Sequence, residues 1–532
     1  MILALSVFTH IWNPIGYPAF HKDEGHYMRK ALYTLEGHGV QEDVRLYDHP
    51  YFGQVFLASV FKVIGYPDSL NPKPGDTHSI EMLYLVPRVL MGILAVVDTL
   101  IVYKICERRY NRKVAIIASV LFAVMPLGWI LRRIVLDSIL LPFLLSSILF
   151  AVYCHTGNRG NNKNMDEKIA KGDGDGAKVN AKAYNSKNNN SKNSIALALL
   201  SGVFLGLAIF TKIPAFTMIP LVGLVVYKNT KSLKTLALWL LPVILIPAIW
   251  PSYAISVGEF DQWIEGVLWQ GTERGGEGKT LLDLINIFFR IDPLLFVLGV
   301  AGLAFASIKR DFLILLWVIP YLALVYAVGW ATHFHWALVL PAFCIAGAIM
   351  IEDLSNRAAR IMKKRRLQNV IPFAITCGIA VFGIAATSML VTANLSSPQY
   401  DAAAFIAQDI KDNTFGDKNN GVTIISSPAF SWVFKYAFNE DFVLSHIRDS
   451  SAPITTNKVI LVVDSVYFDT LSNLGEDPKQ IALLHQIYKT TYPIAKFRDN
   501  AVFYDLKEYP YTSVLDAQVG VRRNGIEVKA DY

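Results

Sequence analysis

Ten apolar runs separated by short basic clusters constrain this chain more than any other feature. They fall at about 84–105, 113–130, 136–154, 194–211, 213–229, 234–255, 289–308, 312–330, 334–352 and 370–392, each long enough to cross the hydrocarbon of a bilayer as a helix. Only 17% of the 532 residues are charged, against roughly a quarter in an ordinary soluble domain. A soluble enzyme, a disordered chain and a disulfide scaffold are therefore excluded. The opening run Met1–Phe8 lacks the charged start and cleavage site of a signal peptide. It reads as an eleventh span, shortened at its start. The fold class expected is an α-helical polytopic membrane protein with about 11 transmembrane helices and a small C-terminal soluble α/β domain.

The basic clusters set the topology. Arg108, Arg109, Arg112, Lys113 and the run Lys363-Lys364-Arg365-Arg366 fall on one side only if residues 51–66, which carry Gln54 and Lys62, lie along the membrane as a juxtamembrane helix. The expectation is thus a transmembrane domain over 1–392 in the cell membrane, N-terminus cytoplasmic, with a first outer loop at 14–83. Residues 155–193, rich in Asn, Lys and Gly, have nothing to bury and read as a flexible cytoplasmic loop. Asp173-Gly174-Asp175 imitates a metal motif there without a flanking strand. After Thr392 the hydropathy collapses, and 393–532 reads as an extracytoplasmic α/β domain. Its candidate strands are 421–426, 458–463 and 501–506, with helical patterns at 400–411 and 480–489. It shows no nucleotide-binding glycine loop, so packing or acceptor docking is its expected role. The four cysteines, Cys106, Cys154, Cys344 and Cys377, lie in or beside apolar runs and form neither a disulfide framework nor a metal motif.

The residues able to do chemistry gather in the outer loops. Asp23-Glu24-Gly25-His26-Tyr27 follows the first span, and Asp48-His49-Pro50-Tyr51 precedes the juxtamembrane helix. Carboxylates in a loop are often merely solvated, although loops host catalytic groups disproportionately. Arg132, Arg133 and Asp137 join two spans at the depth of lipid phosphates, where an idle charge is costly. The alternative is anchoring, with arginines reaching for headgroups and Asp137 capping a helix. Lys212 adds a cation, and the stretch Trp330–Trp336 with His333 and His335 adds aromatics, readable as an interfacial belt.

The order of a span, Asp-Glu-x-His-Tyr, then Asp-His-Pro, then an arginine five residues ahead of Asp137 in Leu-Asp-Ser, resembles the protein O-mannosyltransferases. More broadly it resembles the GT-C glycosyltransferases that use polyprenyl-phosphate sugars, including the bacterial aminoarabinose transferases. The resemblance covers roughly residues 1–350. It implies Asp23 as catalytic base with Glu24 beside it at the acceptor side. It implies Arg132, Arg133, His49 and Lys212 as donor phosphate or lipid-binding groups, and Asp137, His26 and Arg88 as structural or substrate-positioning residues. Tyr51 stands where the family has a second proline and Gln54 where it has a lysine. The outer segment 256–288 is too short for the β-trefoil repeats of eukaryotic protein mannosyltransferases.

Such a donor is already activated at its anomeric carbon, so the implied reaction needs no cofactor and no divalent metal. Arginine suits the departing phosphate because its guanidinium binds oxygens in a bidentate fork. One base acting directly implies inversion. The implied partners are the polyprenyl-phosphate sugar, a protein, glycan or lipid acceptor and membrane lipids, with no nucleic acid. A transporter or lipid flippase would use the same charges to line a substrate path. Asp98 is the main acidic residue deep in a span, and the remaining charges cluster on one side, which favours the transferase.

Overall fold

The computed structural model describes residues 1–42, 47–154, 176–273, 280–329, 332–364, 366–412, 422–440, 443–444, 458–464, 486–489, 491–498 and 525–530. Asp173–Asp175 and the expected strand at 501–506 lie outside the described residues. Eleven consecutive spans are expected, yet among the described residues six helices are long and apolar enough to cross a membrane, or seven counting one bent pair. The six are Thr77–Arg109 (α4), Leu136–Tyr153 (α6), the Asn193–Thr211 part of Gly176–Thr211 (α7), Ile213–Thr230, Leu233–Val257 and Leu367–Val391 (α16). Ile213–Thr230 comprises a 3-10 turn and Ile219–Thr230 (α8); Leu233–Val257 comprises Leu233–Leu245 (α9) and Ile249–Val257 (α10). Ile2–Ile11 (α1), Pro293–Lys309 (α13) and Phe312–Val328 (α14) are apolar but shorter. At 1.5 Å per residue, a helix of 17 residues falls short of the roughly 30 Å hydrocarbon thickness.

Two expected spans have a different form. The run at 113–130 is a helix, Arg112–Val124 (α5), that breaks at Met125–Pro126 and bends by 68° into a 3-10 turn over Pro126–Arg132. Proline has no N–H to continue the ladder, and the buried Asp292 carboxylate accepts from Leu127 N at 3.2 Å. The run at 334–352 likewise begins as a 3-10 turn, His333–Leu338, before the helix Leu340–Ile361 (α15). Asp292 caps Pro293–Lys309 by accepting from Leu295 N, so residues 289–291 belong instead to Leu281–Ile291 (α12).

The basic clusters meet at one end of the bundle. Tyr110 donates to Asp311 at 2.8 Å, Lys113 to the Gln368 carbonyl at 3.0 Å, and Lys309 pairs with Asp353 at 3.5 Å. Lys22–Leu35 (α2) and Phe52–Ile64 (α3) pack on each other, away from these clusters in sequence and in contact. Phe52–Ile64 is helical where a helix over 51–66 is expected, and it stops at Gly65, whose φ of 68° closes its C-terminus. Phe260–Leu268 (α11) follows Gly258.

Among the described residues, the C-terminal region supplies a mixed five-stranded sheet in the order β2-β1-β3-β5-β4. Its strands are Val422–Ile425 (β1), Val443–Leu444 (β2), Lys458–Asp464 (β3), Tyr492–Arg498 (β4) and Gly525–Ala530 (β5). β1 runs parallel to β2 and β3, and β5 antiparallel to β3 and β4. Ser397–Lys411 (α17) fastens this region to the bundle: Tyr400 donates to the Ile15 carbonyl at 3.1 Å, and Leu395 N to Gly16 O at 2.8 Å. Pro428–Trp432 (α18) reaches farther and lies against α2.

Candidate active site at the start of α2

Helix α2 begins at the Asp-Glu pair. His21 is its N-cap; the His21 ring accepts from Asp23 N, and the Glu24 carboxylate accepts from His21 N, closing a reciprocal cap. Adjacent positions on a helix diverge by about 100°, and the two acids part accordingly. Asp23 keeps 37% of its side chain exposed, beside the His21 ring at 3.7 Å, whereas Glu24 has none exposed.

Glu24 is saturated. Arg88 donates through Nε at 3.1 Å and Nη2 at 2.8 Å, Arg133 through Nη1 at 3.2 Å, His21 N at 3.1 Å and Ile134 N at 3.3 Å. Burial alone would raise its pKa, but the Arg88 and Arg133 guanidiniums hold it below the usual carboxylate value. The expected acceptor-side role therefore gives way to a structural one, since no lone pair is left facing a cleft.

The arginines are corrected in the same way. Arg132 is fully buried and donates to the carbonyls of Thr9 and Trp12, closing the end of α1, with its guanidinium over the Tyr17 ring. Arg133 donates to Ala19 O at 2.6 Å besides Glu24, and lies over Trp129. Arg88 spends Nη1 on the carbonyls of Pro14 and Pro18. The bend at Pro126 drives Arg132 and Arg133 inward, where they pin the loop between α1 and α2 and offer no exposed fork to a phosphate. Lys212, expected at the donor, pairs at 2.7 Å with Asp137, expected as a positioning group, and both are buried.

The next turn of α2 holds a cluster of opposite make-up. His26 and Lys30, four residues apart, both face Asp48: Nζ of Lys30 donates at 2.6 Å and Nε2 of His26 lies at 3.3 Å, while His49 N donates at 2.9 Å. Burial would raise the Asp48 pKa, yet Lys30 and His26 carry it well below the ordinary value. Burial pushes the His26 imidazole down, aided by Lys30. The His49 ring tilts toward Tyr27 with centroids 6.5 Å apart. Tyr51 meets Phe210 and Tyr253, and Gln54 donates to the Val40 carbonyl. Sequence reasoning missed Lys30 and Asp48 as a pair, though Asp23, His26 and Lys30 at i, i+3 and i+7 mark one helix face.

His333 and Phe334 are brought to the same place. Phe334 packs on the His21 ring at 5.1 Å, and His333 stacks on Trp129 at 5.4 Å, so this stretch walls the site instead of only lining an interface. Trp330 lies outside the described residues. Enclosure lowers the His21 pKa to about 4, outweighing the upward pull of Asp23. Among the described residues no group of three or more His, Cys, Asp or Glu side chains is placed to hold a metal ion.

Two outcomes follow from these groups. Glu24→Ala leaves two buried guanidiniums facing a lost partner and should cost about 3–5 kcal/mol, read as a lower melting temperature in detergent. His21 is neutral when folded and titrates near 6.5 when free, so its contribution is present above that value and lost as pH falls toward about 4. The depressed carboxylates Glu24 and Asp48 contribute above the usual carboxylate value and lose that contribution in stronger acid. The melting temperature should therefore begin to drop below about pH 6.5 and keep dropping; a flat profile to pH 4 would contradict the His21 environment.

No protein-family model and no curated protein sequence matches the chain. Solved structures do resemble it. Archaeoglobus fulgidus oligosaccharyltransferase AglB, in complex with an inhibitory peptide and a dolichol-phosphate, superposes with a TM-score of 0.53 at 12% identity, covering 97% of this chain and 76% of that one. ArnT from Cupriavidus metallidurans, bound to undecaprenyl phosphate, superposes with a TM-score of 0.51 at 11% identity, covering 100% and 97%. Both are GT-C proteins, one an oligosaccharyltransferase and the other an aminoarabinose transferase, and with them this chain shares the GT-C fold.

Proposed function

We propose that the chain is a multi-pass membrane glycosyltransferase that moves a sugar from a polyprenyl-phosphate donor of dolichyl type to a hydroxyl acceptor. The observation that carries this reading is the split of the Asp-Glu pair: Glu24 is locked between Arg88 and Arg133, and Asp23, one position earlier, stays partly exposed beside the His21 ring. Asp23 takes the proton of the acceptor hydroxyl as its oxygen attacks the anomeric carbon. The bond from that carbon to the phosphate oxygen breaks, the electron pair leaves with the polyprenyl phosphate, and the configuration inverts. General-base assistance of this kind contributes about 10² to 10⁴ in rate. The fold shared with proteins solved with dolichol-phosphate and undecaprenyl phosphate supports the donor class.

Arg88, Arg132 and Arg133 act on the donor phosphate through their field. Two buried guanidiniums, Arg88 and Arg133, hold the buried Glu24 carboxylate and the buried Arg132 adds a third positive charge near Arg88, and in a low-dielectric setting the excess positive charge favours an anion nearby. Direct contact falls to the partly buried His49. A hexose such as mannose is the sugar proposed; the acceptor hydroxyl belongs to a protein, a glycan or a lipid. The end bearing the basic clusters is cytoplasmic, by the bias of Lys and Arg to that side, and α2, the site and the C-terminal region are extracytoplasmic.

Asp23→Asn keeps size and hydrogen bonding but cannot accept the proton. With labelled dolichyl- and undecaprenyl-phosphate hexoses and membrane extract as acceptor, it should abolish transfer while melting and donor binding stay near wild type. Near-normal turnover would sink the assignment. Orientation has its own test: a reporter inserted within 155–193 should map to the cytoplasm and one placed after residue 400 to the outside, and a shared side would refute the topology.

A further inference from the structure

Helix α2 does not rest on the membrane helices alone. Gly25, between the anchored Glu24 and His26, lies directly against the backbone of α18. A side-chain carbon built there would sit 2.6 Å from Ala429 N and closer still to the Pro428 carbonyl. Glycine inside a helix costs roughly 0.5–1 kcal/mol relative to alanine, and Gly25 has ordinary helical backbone. Close approach is what this position requires.

The other side of that contact is also fixed. The Tyr84 hydroxyl donates to the Ala429 carbonyl and accepts from Trp432 Nε1 at 3.1 Å. Phe430 packs on Phe20 at 5.5 Å, and Phe20 stacks on Tyr84 at 4.1 Å. The Arg88 guanidinium that holds Glu24 lies over both of these rings, 5.6 and 5.7 Å from their centroids. A second fastening sits one turn along α2: Arg29 pairs with Glu42 at 2.8 Å, and Glu42 also accepts from Tyr436 at 3.2 Å and faces Lys435 at 3.7 Å. Gly25 and Arg29, four residues apart, thus form one face of α2 clamped by residues 428–436, while Asp23, His26 and Lys30 form another.

We infer that residues 428–436 are a positioning element of the active site, which sets the placement of Asp23 through the backbone contact at Gly25 and the Arg29–Glu42–Tyr436 link. This rests on the reading of Asp23 as base. None of the clamp residues touches the reacting atoms. The C-terminal region is in this view part of the catalytic unit, where the sequence alone suggests packing or acceptor docking.

Gly25→Ala forces the two backbones apart, and Tyr84→Phe removes one hydroxyl while keeping the ring; Gly271→Ala, where the added carbon meets nothing within 4 Å, is the control. Each full-length protein is assayed with the same labelled polyprenyl-phosphate hexoses, and amide hydrogen exchange is followed over residues 22–30. Gly25→Ala should lower kcat about tenfold to a hundredfold, the scale on which a displacement of about 1 Å is felt. KM for the donor should stay within about twofold, since the clamp makes no contact with the donor and the loss belongs to the transition state. Exchange over 22–30 should quicken. Tyr84→Phe, which removes the hydrogen bonds that this hydroxyl makes with Ala429 and Trp432, should lower kcat about threefold to tenfold, and Gly271→Ala should change neither readout. Faster exchange with normal kcat, or lower kcat with normal exchange, overturns the inference. If Gly25→Ala does not accumulate folded, Tyr84→Phe decides by the same two readouts. Retained transfer by Asp23→Asn would instead remove the catalytic reading, and the exchange data would still decide whether residues 428–436 hold α2.

Discussion

The buried carboxylate of Glu24 is the point on which the described site depends. Taking one carboxylate and two guanidiniums out of water costs several kcal/mol per ion, and only close, fully hydrogen-bonded geometry offsets it. Here five N–H groups converge on its two oxygens. The donors come from α4, from the stretch after the Pro126 bend and from the cap of α2. No one of these elements can shift without exposing an unpaired buried charge. A loop of this kind would ordinarily be the softest part of a membrane protein; this one is cross-braced to the bundle.

The arginines do their bracing largely through backbone carbonyls. Arg88 reaches Pro14 and Pro18, Arg132 reaches Thr9 and Trp12, and Arg133 reaches Ala19. The acceptors lie at the end of α1 and in the irregular chain before α2, where carbonyls have no helical partner. A guanidinium suits this task because its rigid set of five donors can serve several acceptors in different directions. The positive charge left over after Glu24 is a consequence of that use, and it is this charge that the proposed anionic donor would meet.

How much of this could be read from the sequence differs by element. Apolar runs and basic clusters identify membrane helices because the bilayer imposes length and side on them, and Tyr110–Asp311 and Lys113–Gln368 gather the clusters as the charges suggest. Span ends were harder, since Pro126 and Asp292 end helices for local reasons that hydropathy averages away. The strands expected at 421–426 and 458–463 coincide with β1 and β3, whereas the partner strand β5 pairs from far along the chain. At the site, the placing of Asp23, His26 and Lys30 on one helix face follows from short-range spacing, whereas the meeting of His26 and Lys30 with Asp48 joins residues 22 and 18 apart. The roles of Arg132, Arg133 and Lys212 do not follow from spacing, because whether a cation meets a ligand, a carbonyl or a carboxylate is settled by tertiary packing. Asp137, expected as a structural or substrate-positioning residue with helix capping as the alternative, pairs with Lys212, a partner 75 residues away that spacing does not reveal.

The order of the two acids carries a further physical meaning. Glu24 is the N3 residue of α2, where its longer side chain can reach back to the N-cap amide while still meeting Arg88; an aspartate there would fall short of one or the other. Asp23, one position earlier and about 100° around the helix, has a shorter side chain with fewer rotamers to lose when held at the mouth of a site. The pair therefore divides two demands that a single carboxylate cannot meet, since an anchor must be buried and fully paired and the base proposed at Asp23 must stay accessible to its substrate. Gly25 continues the logic on the next position, where absence of a side chain lets a distant backbone support the same turn. Three successive residues thus face three different constraints, which is why this short motif carries more structural information than its length suggests.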